Sequence, residues 1–492
     1  MVTTIVLAYL LVVLAIGTLS HRLFRGTSED YFVASRTIGP IVLLMTLFGT
    51  NMTAFAVLGA SGEAYHVGIG VFSLVGSAAA LINPVIFLFV GTRLWRLGRR
   101  HGYLTQVGLF RDRWESRSLG LLLFVALVGL IIPYLLIGVM GAGLSLEAIT
   151  DGAIPRWAGS LVVCAVVLAY VWSGGLRGTA WVNTFQTSVF MSLGIVTFAV
   201  IVDKLGGLTT AMALVAATTP DLLIRGDAIT PWQFLTYTCI PLSVGMMPHM
   251  FMHWLSARSA ETFRLSVVAF PICLAVVWLP SVLLGVLGRI DFPDLEGTAA
   301  NSVLIEMVGH YAPGVLGGLL AAGVCAAIMS SLDSQSLSLG TMFTEDIVRH
   351  YAAGHRWSER HQIRLGRAFV GVVLAVTFVL AQILDQSIFA LAIWSFSGLA
   401  ALFPLVAAAL FWRRSTRQGA IACVVCAVSS WVYFLLRSGG DPGYTLGEAG
   451  VMPVVVMVAI STAALIGVSL LTPPPGPRAI EKFFGSVGCR SV

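Results

Sequence analysis

Ser330, Ser331 and Ser334 stand three, four and seven residues after Ala327, a spacing that places all four on one face of a helix. That face offers three hydroxyls beside the Ala327 carbonyl. Hard cations are held by several oxygens of this kind, from hydroxyls and from unwound backbone. Serines at this spacing also serve as packing contacts between membrane helices. Asp333 lies on the edge of the stripe. A carboxylate inside an apolar segment costs at least about 2.5 kcal/mol on insertion scales. It is therefore expected to bind a cation, carry a proton or pair with another residue, unless it sits low enough to reach the inner interface.

The helix carrying this stripe belongs to a chain built for lipid. Of 492 residues, 57% are hydrophobic and 11% charged, against roughly 25% charged in soluble domains. A water-soluble globule is excluded, and so is a nucleic-acid partner despite the net charge of +6. Thirteen apolar segments approach the length of about 20 residues that a spanning helix needs. They lie at roughly 3–19, 38–61, 70–92, 119–146, 157–173, 180–202, 232–255, 265–288, 313–343, 367–384, 387–411, 419–436 and 450–471. Short alternating strands of a barrel are not seen, so the fold expected is an all-α integral membrane protein of about thirteen transmembrane helices.

Two of these spans are interrupted. The second reads Gly49-Thr50-Asn51-Met52-Thr53 at its middle, and the seventh carries Pro241, Gly245 and Pro248. In lipid, backbone freed by such breaks is tolerated only where it lines a cavity or meets protein partners. Glycine packing and proline kinks are the simpler explanation for either break alone. The breaks are five spans apart. Spans 2–6 and 7–11 then form two five-helix halves, and the odd number inverts the second. That is a 5+5 inverted repeat, whose substrate and ion sites fall at the midplane between the breaks. The expected organisation is one polytopic domain over 1–492. Its core repeats lie at about 38–203 and 232–411, its peripheral spans at about 3–19, 419–436 and 450–471, and its tail at 472–492, too short for a further domain. The basic inner segments 93–118 and 344–366 are expected to carry short amphipathic helices.

With the N-terminus outside, only Arg156, Lys204, Arg225, Arg289 and Arg437 of the 29 Lys and Arg fall on the outer face. Cytoplasmic loops carry the excess of positive charge, so the C-terminus is expected in the cytoplasm. Cys164, Cys239, Cys273, Cys325, Cys423 and Cys426 all fall in spans and read as small apolar residues.

Ser330-Ser331-Leu332-Asp333-Ser334-Gln335, followed by Thr344-Glu345-Asp346, resembles the sodium/solute symporter family. So does the run Ser173-Gly174-Gly175-Leu176-Arg177-Gly178-Thr179-Ala180-Trp181-Val182-Asn183-Thr184-Phe185-Gln186. Gly245-Met246-Met247-Pro248-His249 is similar to the proline, pantothenate and acetate permease branch more than to the sugar branch. The resemblance covers about residues 3 to 411. It implies a LeuT-type fold and sodium-driven uptake. The family's principal sodium site, carried over motif by motif, comprises Gly49 and Met52 on the broken helix with Ala327, Ser330 and Ser331. Two positions depart from the family. Asn183 stands where some members have an Asp of a second sodium site, and Asp333 stands where those members often have Ser. Asn183, Asp333 and Ser334 then form either a relocated cation or proton site or the remnant of a lost one.

The solute is expected between the breaks, against Thr50, Asn51 and Thr53, with Phe72, Met246 and Trp394 from neighbouring spans. His249 is expected to orient a helix break or line the path. His249 and His253 are four residues apart, a metal-binding spacing, but no third ligand is evident and sodium is the only metal expected. No Lys or Arg lies in the interior of a span, Arg367 standing at the first residue of the tenth. An anionic solute would then rely on helix N-termini and backbone N–H groups, and a zwitterion fits equally. The expected function is sodium-coupled symport of a small organic solute, a carboxylate or amino acid, by alternating access. A proton-coupled transporter using Asp333, and a transporter-like sensor, are the alternatives. No paired carboxylates or nucleophile–base set points to an enzyme, and no cofactor is expected. The partners expected are a small solute, sodium and the bilayer of a bacterial inner membrane, around a monomeric functional unit.

Overall fold

The computed structural model describes residues 2–19, 36–150, 152–225, 229–312, 314–351, 358–384 and 386–485. Arg22, Arg25, Arg356 and Arg490 of the charge count lie outside the described residues, as do the side chains of Ser173, Arg177 and Arg360. Among the described residues there is no strand, only two isolated bridges, Ile38 with Ala257 and Leu446 with Val451. Ten helices are long and apolar enough to cross a membrane, and the bent pair Pro40–Asn51 and Phe55–Val67 makes an eleventh span. Length and composition therefore give eleven, against the thirteen expected. The expected span at 157–173 is the shorter apolar helix Arg156–Trp172. The one at 232–255 is divided into Pro231–Tyr237, a 3-10 stretch Ile240–Gly245, and Pro248–Ser256.

Three breaks shape the site. The first bends the chain by 59° between Pro40–Asn51 and Phe55–Val67. Met52 is extended there (φ −89°, ψ 103°), and the Thr53 hydroxyl accepts a hydrogen bond from the Phe55 amide (2.9 Å), which restarts the helix. Prolines make the second break, because Pro241 and Pro248 each remove a backbone donor that a continuous helix would use. The third lies between Arg156–Trp172 and Gly178–Lys204. Gly175 turns the chain there at φ 56°, ψ −160°, a conformation open essentially to glycine alone.

The start of the first broken helix meets the end of the second. Ile38 accepts from the Arg258 amide (2.9 Å) and donates to the Ser256 carbonyl (3.1 Å). Val315–Met342, the serine helix, is buried over nearly its whole length. It packs against Val2–Leu19, Arg117–Ile149 and both parts of 156–204. Its small residues let neighbours approach closely; Gly318 faces Ile5 and Gly323 faces Leu193.

The basic segment 93–118 folds into Thr92–His101 and Gln106–Arg113. Against them lies a C-terminal helix, Pro477–Phe484. Lys482 and the Tyr103 hydroxyl both meet the Asp112 carboxylate. Burial acts to raise the Asp112 pKa, but Lys482 and Tyr103 outweigh it and hold the carboxyl below its usual range. A depressed carboxyl stabilises the folded form above its unfolded pKa, about 3.9 for Asp, and that contribution is lost as pH falls through the lower folded value. Protection of the amides across 477–484, referred to their intrinsic exchange rate at each pH, is expected to be high at pH 7 and to fall below about pH 3.9. Lys482→Ala is expected to show the lowered protection already at pH 7; unchanged protection in that variant would show that the ion pair does not hold the helix.

Candidate ion and solute site

The helix Pro40–Asn51 ends inside the protein, so its last carbonyls lose their partners one turn on. The backbone turn at Met52 points two of them at the serine helix. Ser330 Oγ lies 2.8 Å from the Gly49 carbonyl, 3.0 Å from that of Ala327 and 3.5 Å from that of Met52, and its one proton is shared among these acceptors. Three backbone oxygens and one hydroxyl thus converge at the negative end of a helix dipole, which favours a cation. Gly49, Met52, Ala327 and Ser330 are brought together. The Ser331 hydroxyl instead donates to Ile328 in its own helix (3.1 Å). Met52 is further held by the Trp278 indole N–H on its sulfur (3.0 Å).

Gly49 can approach this closely only without a side chain, because a Cβ there would lie 2.0 Å from Thr187 Oγ1. Thr187 is itself committed to the Met45 carbonyl (3.0 Å). Gly49→Ala is expected to cost about 1–3 kcal/mol of stability by overpacking and to move the Gly49 carbonyl away from Ser330. Thermal unfolding in sodium and in potassium checks both effects: the variant melts lower, and the difference between the two ions shrinks.

One helical turn further on lies a second polar cluster. Thr50 Oγ1 donates to Ser334 Oγ (2.9 Å), and Asn183 Nδ2 donates to Ser334 Oγ (2.8 Å) and Thr50 Oγ1 (3.3 Å). Ser334 Oγ donates to Asp333 Oδ1 (3.1 Å), and the Tyr170 hydroxyl donates to Asp333 Oδ2 (3.0 Å). His253 Nε2 lies 3.2 Å from Ser334 Oγ and 3.4 Å from Thr50 Oγ1. All six side chains are buried, and Asn183 Oδ1 has no hydrogen-bond partner. Asp333 is fully enclosed, so it does not reach the inner interface. Thr50, expected at the solute, belongs to this cluster.

Between the two breaks lies a cavity of about 30 Å³, lined by Asn51, Phe55, Asn83, Met247, Trp278 and Phe396 among others. At roughly 10–15 Å³ per water it has room for about two waters, so an organic solute needs the walls to part. Of the residues expected at the solute, Asn51 lines it. Thr53 caps the restarted helix. Phe72 packs on Gly76 of its own helix. Met246 gives its carbonyl to Gln106 Nε2 (3.0 Å), and Met247 takes its place in the wall. Trp394 gives its carbonyl to the Trp431 indole (2.7 Å). His249 is fully buried with neither ring nitrogen partnered. Its ring lies 5.7 Å from that of Tyr134, whose hydroxyl is also unpartnered, and Tyr134 packs edge-on against Phe396 of the cavity wall (4.9 Å). His249 and His253 thus serve different neighbours rather than a common ion.

Sequence reasoning missed Tyr170, Asn83, Trp278 and Phe396, and weighed His253 only as half of a metal pair with His249. Asn83, a lone amide inside an apolar run and next to Pro84, carried a signal that could have been found. Tyr170 and the aromatics look like ordinary lipid-facing or packing residues.

The sodium:solute symporter family model matches residues 31–426. The sodium/pantothenate symporter of Escherichia coli is 26% identical over 93% of this chain and 94% of its own length. The sodium/proline symporter of the same organism is 25% identical over 93% of each. The solved structure of a Na⁺-coupled sialic acid symporter, in a substrate-bound outward-open state, superposes with a TM-score of 0.79 at 16% identity, covering 97% of this chain and 99% of that one. This integral membrane protein, with its discontinuous helices facing one another across a buried polar site, belongs to the sodium:solute symporter family.

Proposed function

We propose that sodium binds where Gly49, Met52, Ala327, Ser330 and Ser331 supply oxygens, and that this binding orders the broken helix for the solute. The observation that carries the reading is the position of Ser330 Oγ, 2.8–3.5 Å from three backbone oxygens of two different helices. A hard cation replacing the hydroxyl's hydrogen bonds would be held by the same oxygens. Ser331 joins on turning its hydroxyl away from Ile328. Sodium then ties 40–52 to the serine helix, and solute and sodium strengthen each other's binding by the same factor.

The solute in this reading is a small carboxylate or zwitterion. Met247 lines the cavity and is the residue before Pro248–Ser256. The N-terminus of that helix, with unpartnered His249 in its first turn, suits a carboxylate in the absence of a Lys or Arg in the interior of a span. Asn51 and the Tyr134 hydroxyl offer further polar contacts once the walls part. The chain works as one polytopic domain and as a monomer, with its N-terminus outside and its C-terminus in the cytoplasm of a bacterial inner membrane, the orientation that the Lys and Arg asymmetry supports. Uptake of labelled pantothenate, proline and related solutes into cells, in sodium against potassium, tests the reading. Sodium-dependent accumulation of one of them is expected; uptake indifferent to sodium would overturn it.

The buried carboxylate favours a second coupling cation. Asp333, Ser334, Thr50 and the unpartnered Asn183 Oδ1 form an oxygen-rich cluster one turn from the first site. Asp333 supplies its charge, and Tyr170 and Ser334 hold the carboxylate in place.

A further inference from the structure

A groove of about 680 Å³ opens between the end of Gly70–His101, the start of Ala260–Leu287 and Phe411. Its walls have two characters. Leu88, Phe89, Val268 and Phe411 are exposed apolar side chains on membrane-spanning helices. At its basic end stand Arg93 and Arg96, with Arg413 close enough for its charge to act on Arg93. Among the described residues none of these three guanidiniums has a carboxylate within ion-pairing distance. Arg93 lies instead over the rings of Phe411 (4.9 Å) and Phe484 (5.8 Å). The one carboxylate in the groove, Glu261, forms an exposed pair with Arg264 (3.7 Å), which also lines the groove, so positive charge remains in excess there. Like charges gathered without a counterion at the rim of an apolar groove call for an anion there, and basic pockets between membrane helices take acidic lipid headgroups. The exposed apolar wall suits an acyl chain, which a soluble anion lacks.

We propose that this groove binds one anionic phospholipid, its phosphate on Arg93 and Arg96 and an acyl chain along Leu88, Phe89 and Val268. The site is separate from the ion and solute cavity and does not depend on which solute is carried.

The test is thermal unfolding of the full chain in detergent, titrated with phosphatidylglycerol, with phosphatidylcholine and with inorganic phosphate at equal ionic strength. A lipid that binds the folded form raises the melting temperature by mass action. Phosphatidylglycerol is expected to raise it and the other two are not. Arg96 is exposed, so R96Q leaves the packing intact; it is expected to bind the lipid about fivefold more weakly. R93Q/R96Q together are expected to bind about 25-fold more weakly. R100Q, an exposed arginine on the same helix outside the groove, keeps the wild-type response. An equal effect of phosphatidylcholine, an effect of inorganic phosphate alone, or equal losses in R96Q and R100Q would overturn the proposal. Should the double variant not fold, R96Q against R100Q decides it.

Discussion

Ser330→Ala is expected to weaken sodium binding about 10- to 100-fold. It removes the one hydroxyl that touches Gly49, Met52 and Ala327 together. A polar contact to a charged group is worth about 1.5–3 kcal/mol, and each 1.4 kcal/mol is tenfold in affinity. The loss is specific to the ion: the melting temperature in potassium changes little, and the rise on adding sodium is displaced to higher concentration. Uptake at saturating sodium is expected to recover in part, because the three backbone oxygens remain. Ser336→Ala is the matched control. Ser336 is equally buried on the same helix, and its hydroxyl donates only to Leu332 (2.7 Å). Equal sodium responses in the two variants would show that Ser330 is packing, not ligation.

Asp333→Asn is expected to leave a folded protein with a shallower dependence of uptake on sodium, first order where the wild type is second order. Asparagine keeps the shape of the carboxylate and one acceptor for Tyr170 or Ser334, but not the charge that a second cation needs. Asp333→Ala is expected to be worse in a different way. It leaves the Ser334 hydroxyl without its acceptor in a fully buried site and removes the Asp333 contact of the Tyr170 hydroxyl. Orphaned buried groups cost about 1–3 kcal/mol each, so that variant should melt lower with or without sodium. The contrast separates coupling from structure. A wild-type sodium order in Asp333→Asn would show that the carboxylate serves the fold alone; an uptake that follows pH rather than sodium in the wild type would make its cation a proton.

Features that are local in the chain were legible in the sequence. The serine stripe rests on helical periodicity, and the breaks rest on Pro, Gly and Thr crowded into apolar runs; both depend on a few consecutive residues. The pairing of Gly49 and Met52 with Ser330 came from resemblance, since nothing local links residues 281 apart. The second cluster shows the limit more sharply. Thr50 and Ser334, 284 residues apart, meet through their side chains, and Tyr170 looks like any aromatic in an apolar span until the fold turns it onto Asp333. Phe72 is expected at the solute from a neighbouring span, but its ring folds back on Gly76. The seventh span was visible as apolar and proline-rich, yet its division into three short pieces depends on partners such as Gln106 of the helix Gln106–Arg113. The C-terminal helix 477–484 is only eight residues long, too short for its periodicity to announce it, and is positioned by Asp112, Tyr103 and the rings around Phe483.

The most direct test of sodium coupling is solute accumulation by the purified protein in liposomes, with sodium outside, potassium inside, equal pH on both sides and the membrane potential clamped. The solute is expected to accumulate above its outside concentration and to leak out again when an ionophore dissipates the sodium gradient. Accumulation that ignores the sodium gradient and appears only with an imposed pH difference would contradict sodium coupling at Ser330.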